Sequence, residues 1–149
     1  MRIQIQPPRV EIAGLSDEVR KAVAATVEAS ARMVLNDANR AIASPPKTGR
    51  IYTRGGVEHQ ASAAGEAPAT DTGRLIGSGR ADAEILQGDK IRGLVEYTVA
   101  YAVYLEFGTR KMAARPFLVP AIERNKARIA QLISAALTTG ASAFVRKKR

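Results

Sequence analysis

A chain of 149 residues, 46% hydrophobic and 25% charged, is the size of one domain and long enough to bury a core. It has no cysteine and a single histidine, His59, which excludes disulfide scaffolds, thiolate nucleophiles and multi-histidine metal sites. Lys and Arg number 23 against 14 Asp and Glu, a net charge of +9, so contact with nucleic acid or an acidic protein surface is expected.

Met1 to Gln6 alternates Ile3 and Ile5 with polar residues before Pro7-Pro8, the period of a half-buried edge strand. Ser16 is a good N-cap, and Asp17 and Glu18 suit a first helical turn. From there Val19, Val23, Val27, Ser30, Val34, Ala38 and Ile42 return every three or four residues, predicting an amphipathic helix to about Ile42. Ser44-Pro45-Pro46 ends it. Gly55-Gly56 between Arg50–Arg54 and Val57–Ala61 is a hairpin signal.

From Gly55 to Arg74 the only large aliphatic residue is Val57, and a segment of that composition cannot bury itself. The expectation is a long extended arm, about 45–74, that becomes ordered against a neighbour. Its candidate interface residues are Gly55, Gly56, His59, Gln60, Ser62, Gly65, Glu66, Pro68 and Asp71; the competing reading is a passive loop. Structure resumes at Asp71-Thr72-Gly73-Arg74-Leu75. Gly79–Leu86 and Ile91–Val99 then read as a hairpin about Gln87–Lys90, with Ile91, Gly93, Val95, Tyr97 and Val99 on one face.

Ala100 to Pro120 concentrates the large aromatic residues. Tyr101, Tyr104 and Phe107 stand at helical spacing and are assigned to the core rather than to base stacking. Gly108 supplies a sharp reversal, and Pro116 and Phe117 lead into a second helix whose first turn tolerates Pro120. Ile122, Ile129, Leu132, Ile133, Ala136 and Leu137 line one side of that helix, Gly140 is its expected stop, and 141–149 is a basic tail ending in Arg146-Lys147-Lys148-Arg149. The fold predicted is α+β, a small, mainly antiparallel sheet flanked by the two helices in a single domain spanning 1–149.

Catalytic chemistry finds little support. Ser78 lacks the spacing of a nucleophile elbow, His59 stands beside Glu58 without a nucleophile, and Asp82 with Glu84 reads better as a solvated sheet face than as a metal pair. No phosphate-cradling glycine motif occurs. The expectation is a non-enzyme without cofactor or metal. There is also no apolar run long enough to cross a membrane and no signal peptide, so the chain is expected to stay in the cytosol where it is made. Arg50, Arg54, Arg110 and Lys111 are candidates for facing DNA or an acidic neighbour, with plain surface solvation the alternative.

Two blocks carry a family resemblance: H-Q-A-S-A-A-G-E-A-P-A-T-D-T-G-R-L (His59 to Leu75) and Y-A-V-Y-L-E-F-G-T-R-K-M-A-A-R-P-F-L (Tyr101 to Leu118). In this order they resemble the tailed-bacteriophage neck proteins, called tail-completion, head–tail joining or minor structural proteins; Ala64 stands where that family often has a proline. The resemblance covers roughly Thr48 to Ile122. It implies a virion protein assembled in the host bacterial cytoplasm, similar in fold to tail-terminator proteins, in a ring that is often hexameric. Adjoining head-connector and tail-tube or tail-terminator proteins would be its neighbours, and double-stranded DNA would pass through. The alternatives are a tail-terminator ring or a sequence-independent nucleic-acid-binding protein.

Overall fold

Ser16 begins the first long element: its Oγ accepts a hydrogen bond from the Val19 N–H at 3.5 Å, and α1 runs Asp17–Ala43. In the computed structural model, residues 3–5, 10–11, 14, 16–44, 47–86 and 90–147 are described, with side chains for 14, 16–44, 47–86 and 90–139. The buried stripe of α1 is Val19, Val23, Val27, Ser30, Ala31, Val34, Ala38 and Ile42, the periodicity read above with Ala31 added. Ser30 satisfies its buried hydroxyl by donating to the Thr26 carbonyl at 2.7 Å, which lets a polar residue sit in an apolar stripe.

The main sheet packs on this stripe. β1 (Ile3–Ile5) and β2 (Val10–Glu11) both pair antiparallel with β6 (Lys90–Tyr97), and β5 (Gly79–Leu86) pairs along the whole length of β6. Ile5 faces Val95 and Val10 faces Ile91. Five steps on the N-terminal segment therefore span four on β6, and the register shifts by one residue between β1 and β2. Because β5 occupies one side of β6 throughout, β1 and β2 share the other. The sheet is three strands wide, with the expected N-terminal strand in place.

Alternation in β6 follows the predicted faces: Ile91, Gly93, Val95 and Tyr97 are buried, and the residues between them half-buried. On the same face Gly79 lies close under Leu35, whose Cδ1 would be 2.6 Å from a Cβ there and would have to move aside for one. Tyr97 reaches the far end of α1 and donates to Asn39 Oδ1 at 2.7 Å. Burial raises the pKa of its phenol well above the usual value, with the Glu106 carboxylate adding to the rise. On the outer face Glu84 pairs with Arg92 at 2.5 Å, and the Asp82 carboxylate accepts from the Ala83 N–H at 2.8 Å. The two acids are thus engaged separately rather than as a pair.

The open edge of β5 is also covered locally. Thr98 N–H donates to the Ser78 carbonyl, so residue 78 addresses β6, and by alternation Gly79 and Ala83 address the open side. Arg80 donates to the Gly77 and Gly79 carbonyls at 3.1 and 2.8 Å, while Asp82 takes the Ala83 N–H. Ser78 itself is buried and donates to the Leu75 carbonyl at 2.7 Å, closing the short α2 (Arg74–Gly77). A structural hydrogen bond therefore accounts for the one serine weighed as a nucleophile.

α4 (Leu118–Lys147) packs beside α1 through Phe117, Leu118, Ala121, Ile129 and Ile133. It does not stop at Gly140 as expected. A glycine inside a helix costs only about 1 kcal/mol relative to alanine, and no proline follows to enforce an end. Residues 141–147 of the anticipated basic tail are helical, and 148–149 lie outside the described residues. Leu132 is also misassigned: it is 39% exposed, at the margin of the packed face. β3 (Ile51–Arg54) and β4 (Val57–Gln60) form a separate two-stranded sheet about Gly55-Gly56, both with positive φ.

Candidate functional site

The segment after the sheet is built around a buried carboxylate. α3 (Ala102–Phe107) is six residues long and buries only Ala102 and Glu106. The Glu106 side chain, 3% exposed, accepts from the N–H groups of Phe117 and Leu118 at 3.0 Å each and Val119 at 2.8 Å. These donors at the start of α4 have no partner inside the helix, and Pro120 brings no N–H at all. Negative charge is also favoured at this end of a helix. Glu106 is thus a cap supplied from another element, holding α3 against the start of α4.

Gly108 makes that geometry possible. Its φ is +73°, and a Cβ would lie 2.7 Å from the Met112 carbonyl oxygen and 2.8 Å from the Ala114 nitrogen. The chain turns through Thr109–Met112 and returns so that Arg115 N–H donates to the Leu105 carbonyl at 2.7 Å. Phe117 then enters the core, 1% exposed, edge-on to Tyr97 with ring centroids 5.0 Å apart. Pro116, beside it, is half-buried.

The second motif block is tied to the first. Arg115 donates from Nε and Nη2 to the Ser62 carbonyl at 3.2 and 3.1 Å, and Gly65 N–H donates to the Ala114 carbonyl at 2.9 Å. Glu66 accepts from the Thr48 hydroxyl at 2.5 Å and N–H at 3.1 Å, and from the Ala63 N–H at 2.9 Å. Those bonds, the Thr48 hydroxyl foremost, hold its carboxyl at about 2. Ser62 and Pro68 are buried, and Thr70 reaches the Ile42 carbonyl at 3.3 Å.

The arm expectation is corrected accordingly. Residues 61–74 fold onto their own domain because hydrogen bonds and two charged side chains replace the large apolar groups that the segment lacks. Ile51–Gln60 form the hairpin expected about Gly55-Gly56, so this part of the arm range is β3–β4 and not extended. Gln60 Nε2 donates to the Gly49 carbonyl at 3.3 Å, and His59 stacks on Tyr52 with centroids 5.6 Å apart. Asp71 accepts from Arg54 and lies 3.8 Å from His59 Nε2.

A groove of about 550 Å³ lies between these pieces, with Tyr52, Arg54, Leu75, Tyr101, Met112 and Arg115 in its walls. The core assignment of the α3 aromatics fails here. Tyr101, Tyr104 and Phe107 are 40%, 51% and 62% exposed. Their common spacing does place them on one side, but Ala102 and Glu106 occupy the inward side. Ile51 and Val57 of the hairpin are likewise exposed.

No known family, curated protein or solved structure matches the chain. Its own geometry therefore has to carry the reading of the site.

Among the predicted site residues, Ser62, Gly65, Glu66, Pro68 and Asp71 come together with Arg54 around the groove and the Arg115 contact. Gly55 and Gly56 sit apart at the hairpin tip. Arg110 and Lys111 are exposed on the Thr109–Met112 turn, and Arg50 immediately precedes β3, four residues, about 13 Å of extended chain, before Arg54. Glu106, Arg115 and Thr48 were missed as site residues, although the first two stand inside the resemblance motifs. Among the described residues no cluster of three acidic or histidine side chains could hold a metal, and no helix is long and apolar enough to cross a membrane.

Proposed function

We propose that this chain is a structural subunit of the head–tail junction of a tailed phage or phage-like particle. Copies form a ring, hexameric in this reading, that completes the tail and joins it to the head, with double-stranded DNA passing through. Head-connector and tail-tube or tail-terminator proteins are its neighbours. The motif resemblance supplies the role, and the observation that carries it is the exposed aromatic ridge of Tyr101, which precedes α3, with Tyr104 and Phe107 on it. Three of the chain's seven Tyr and Phe residues stand in solvent here, and aromatic side chains are the groups most enriched where proteins associate. A ring needs two different patches on every subunit; the ridge is one, and the hairpin carrying exposed Ile51 and Val57 is the other.

The test is the double variant Tyr104→Asp with Phe107→Asp. Both positions are exposed, so the thermal melt is expected to stay as in wild type, while rings disappear from native mass spectra and negative-stain images and tails fail to attach. Normal rings and normal tail attachment from this variant would overturn the reading.

A further inference from the structure

Among the described residues, four arginines gather away from the motifs, between the two long helices. A depression of about 580 Å³ there is walled by Arg32, Asn36 and Arg40 from α1 and by Arg124, Asn125 and Arg128 from α4, with Ala29, Met33 and Asp37 completing it. Four arginines face one carboxylate. Asp37 accepts from Arg124 Nε at 3.1 Å and from Asn125 Nδ2 at 3.0 Å, so it orients these two side chains. Arg32 pairs with Glu28 at 2.5 Å at the margin. Among the described residues Arg40 and Arg128 meet no carboxylate, and both are exposed.

Arg32, Asn36 and Arg40 recur every four residues, about 6 Å apart along the helix axis and about 12 Å overall. Arg124 and Arg128 make a shorter row with the same spacing on the facing helix. Rows of this length cover three to four base-pair steps of duplex DNA measured along its axis, at about 3.4 Å of rise per step. The depression has only Ala29 and Met33 as apolar lining. An acidic protein partner would seek an apolar centre, whereas nucleic-acid contacts are more polar and more positive. Arginine's planar fork suits phosphate oxygens in pairs.

We infer that the α1–α4 depression binds the phosphodiester backbone of duplex DNA without reading its sequence. This rests on the ring reading for its biological setting, since it names the subunit surface that meets the passing DNA, and it replaces Arg50, Arg54, Arg110 and Lys111 in that role. The binding itself is independent of assembly.

Fluorescence anisotropy of a labelled 20-base-pair duplex with the full chain, titrated from 50 to 200 mM NaCl, tests it. Four phosphate contacts give a log–log salt slope of about −3.6, a loss of about 100-fold in affinity over that range. Arg40→Gln with Arg128→Gln, both at exposed positions and checked by circular dichroism, is expected to reduce the slope by about 1.8, leaving a loss of about 10-fold. Arg110→Gln with Lys111→Gln should leave the slope unchanged. The ring-deficient Tyr104→Asp, Phe107→Asp chain should keep the wild-type slope per subunit, which separates failure of this inference from failure of the ring reading. A wild-type slope in the Arg40/Arg128 variant, loss of slope in the Arg110/Lys111 variant instead, or equal binding of polyglutamate would each overturn it. So would a duplex RNA bound in clear preference to DNA.

Discussion

α1 and α3 solve opposite problems. The long helix buries eight residues, nearly all apolar, and turns its charges to solvent; the short one buries an alanine and a glutamate and turns its aromatic residues outward. A helix of seven turns is positioned by the area of its stripe, at roughly 25 cal/mol for each Å² removed from water. Six residues cannot supply that area, so α3 is positioned by what one carboxylate does for the start of another helix. Apolar burial and directional hydrogen bonding thus divide the work, and the second leaves aromatic surface available.

The comparison is most sharply tested by the two phenylalanines ten residues apart. Phe117→Ala removes a ring in edge contact with Tyr97 and is expected to cost about 3–5 kcal/mol in a denaturant melt. Glu106→Ala comes next, at about 3 kcal/mol, because buried N–H groups of α4 lose a charged acceptor. Glu106→Gln should recover only part of that loss, since an amide offers one acceptor oxygen and brings an N–H₂ group to a site lined with donors. If Glu106→Ala melted as wild type, the position of α3 would have to be credited to apolar packing after all.

A smaller effect is expected at Glu66, where the sign follows from its depressed pKa. The native state holds the carboxyl at about 2 against an ordinary 4.5. The charged form is therefore favoured by folding, and its stabilisation is present above about pH 4.5 and lost as pH falls towards 2. The melting-temperature difference between wild type and Glu66→Gln should shrink through that window, with hydrogen exchange at Thr48 and Ala63 rising in parallel. The smallest effect belongs to Phe107→Ala, within about 0.5 kcal/mol of wild type. A loss of several kcal/mol there would return the ridge to the core.

The long elements were readable because their signals are periodic and local. Val19 to Ile42 repeats at helical spacing, Ile91 to Tyr97 alternates, and Gly55-Gly56 marks its turn; each of these requires only near neighbours. The ridge was misread because spacing reports that Tyr101, Tyr104 and Phe107 share a side but not which side is inward. Glu106 could have decided it, had its buried role been visible, but its partners lie 11 to 13 residues away across a turn. The 61–74 loop failed for a related reason. Composition counted its missing large side chains, whereas its fixation depends on Arg115 and Thr48, which lie outside the segment. For the α1–α4 depression, every arginine was legible singly, and only the packing of two helices brings them into one surface.

β5 offers eight residues and an exposed Ile85 at the rim, the kind of border on which chains stack into insoluble aggregates. Arg80 and Asp82 fold their side chains back onto the carbonyls of Gly77 and Gly79 and the N–H of Ala83, so a foreign strand arriving there finds these positions taken. The chain is thereby hindered from polymerising through this border. Arg80→Ala with Asp82→Ala, which frees those groups, should raise the turbidity of a concentrated solution well before it changes the melt.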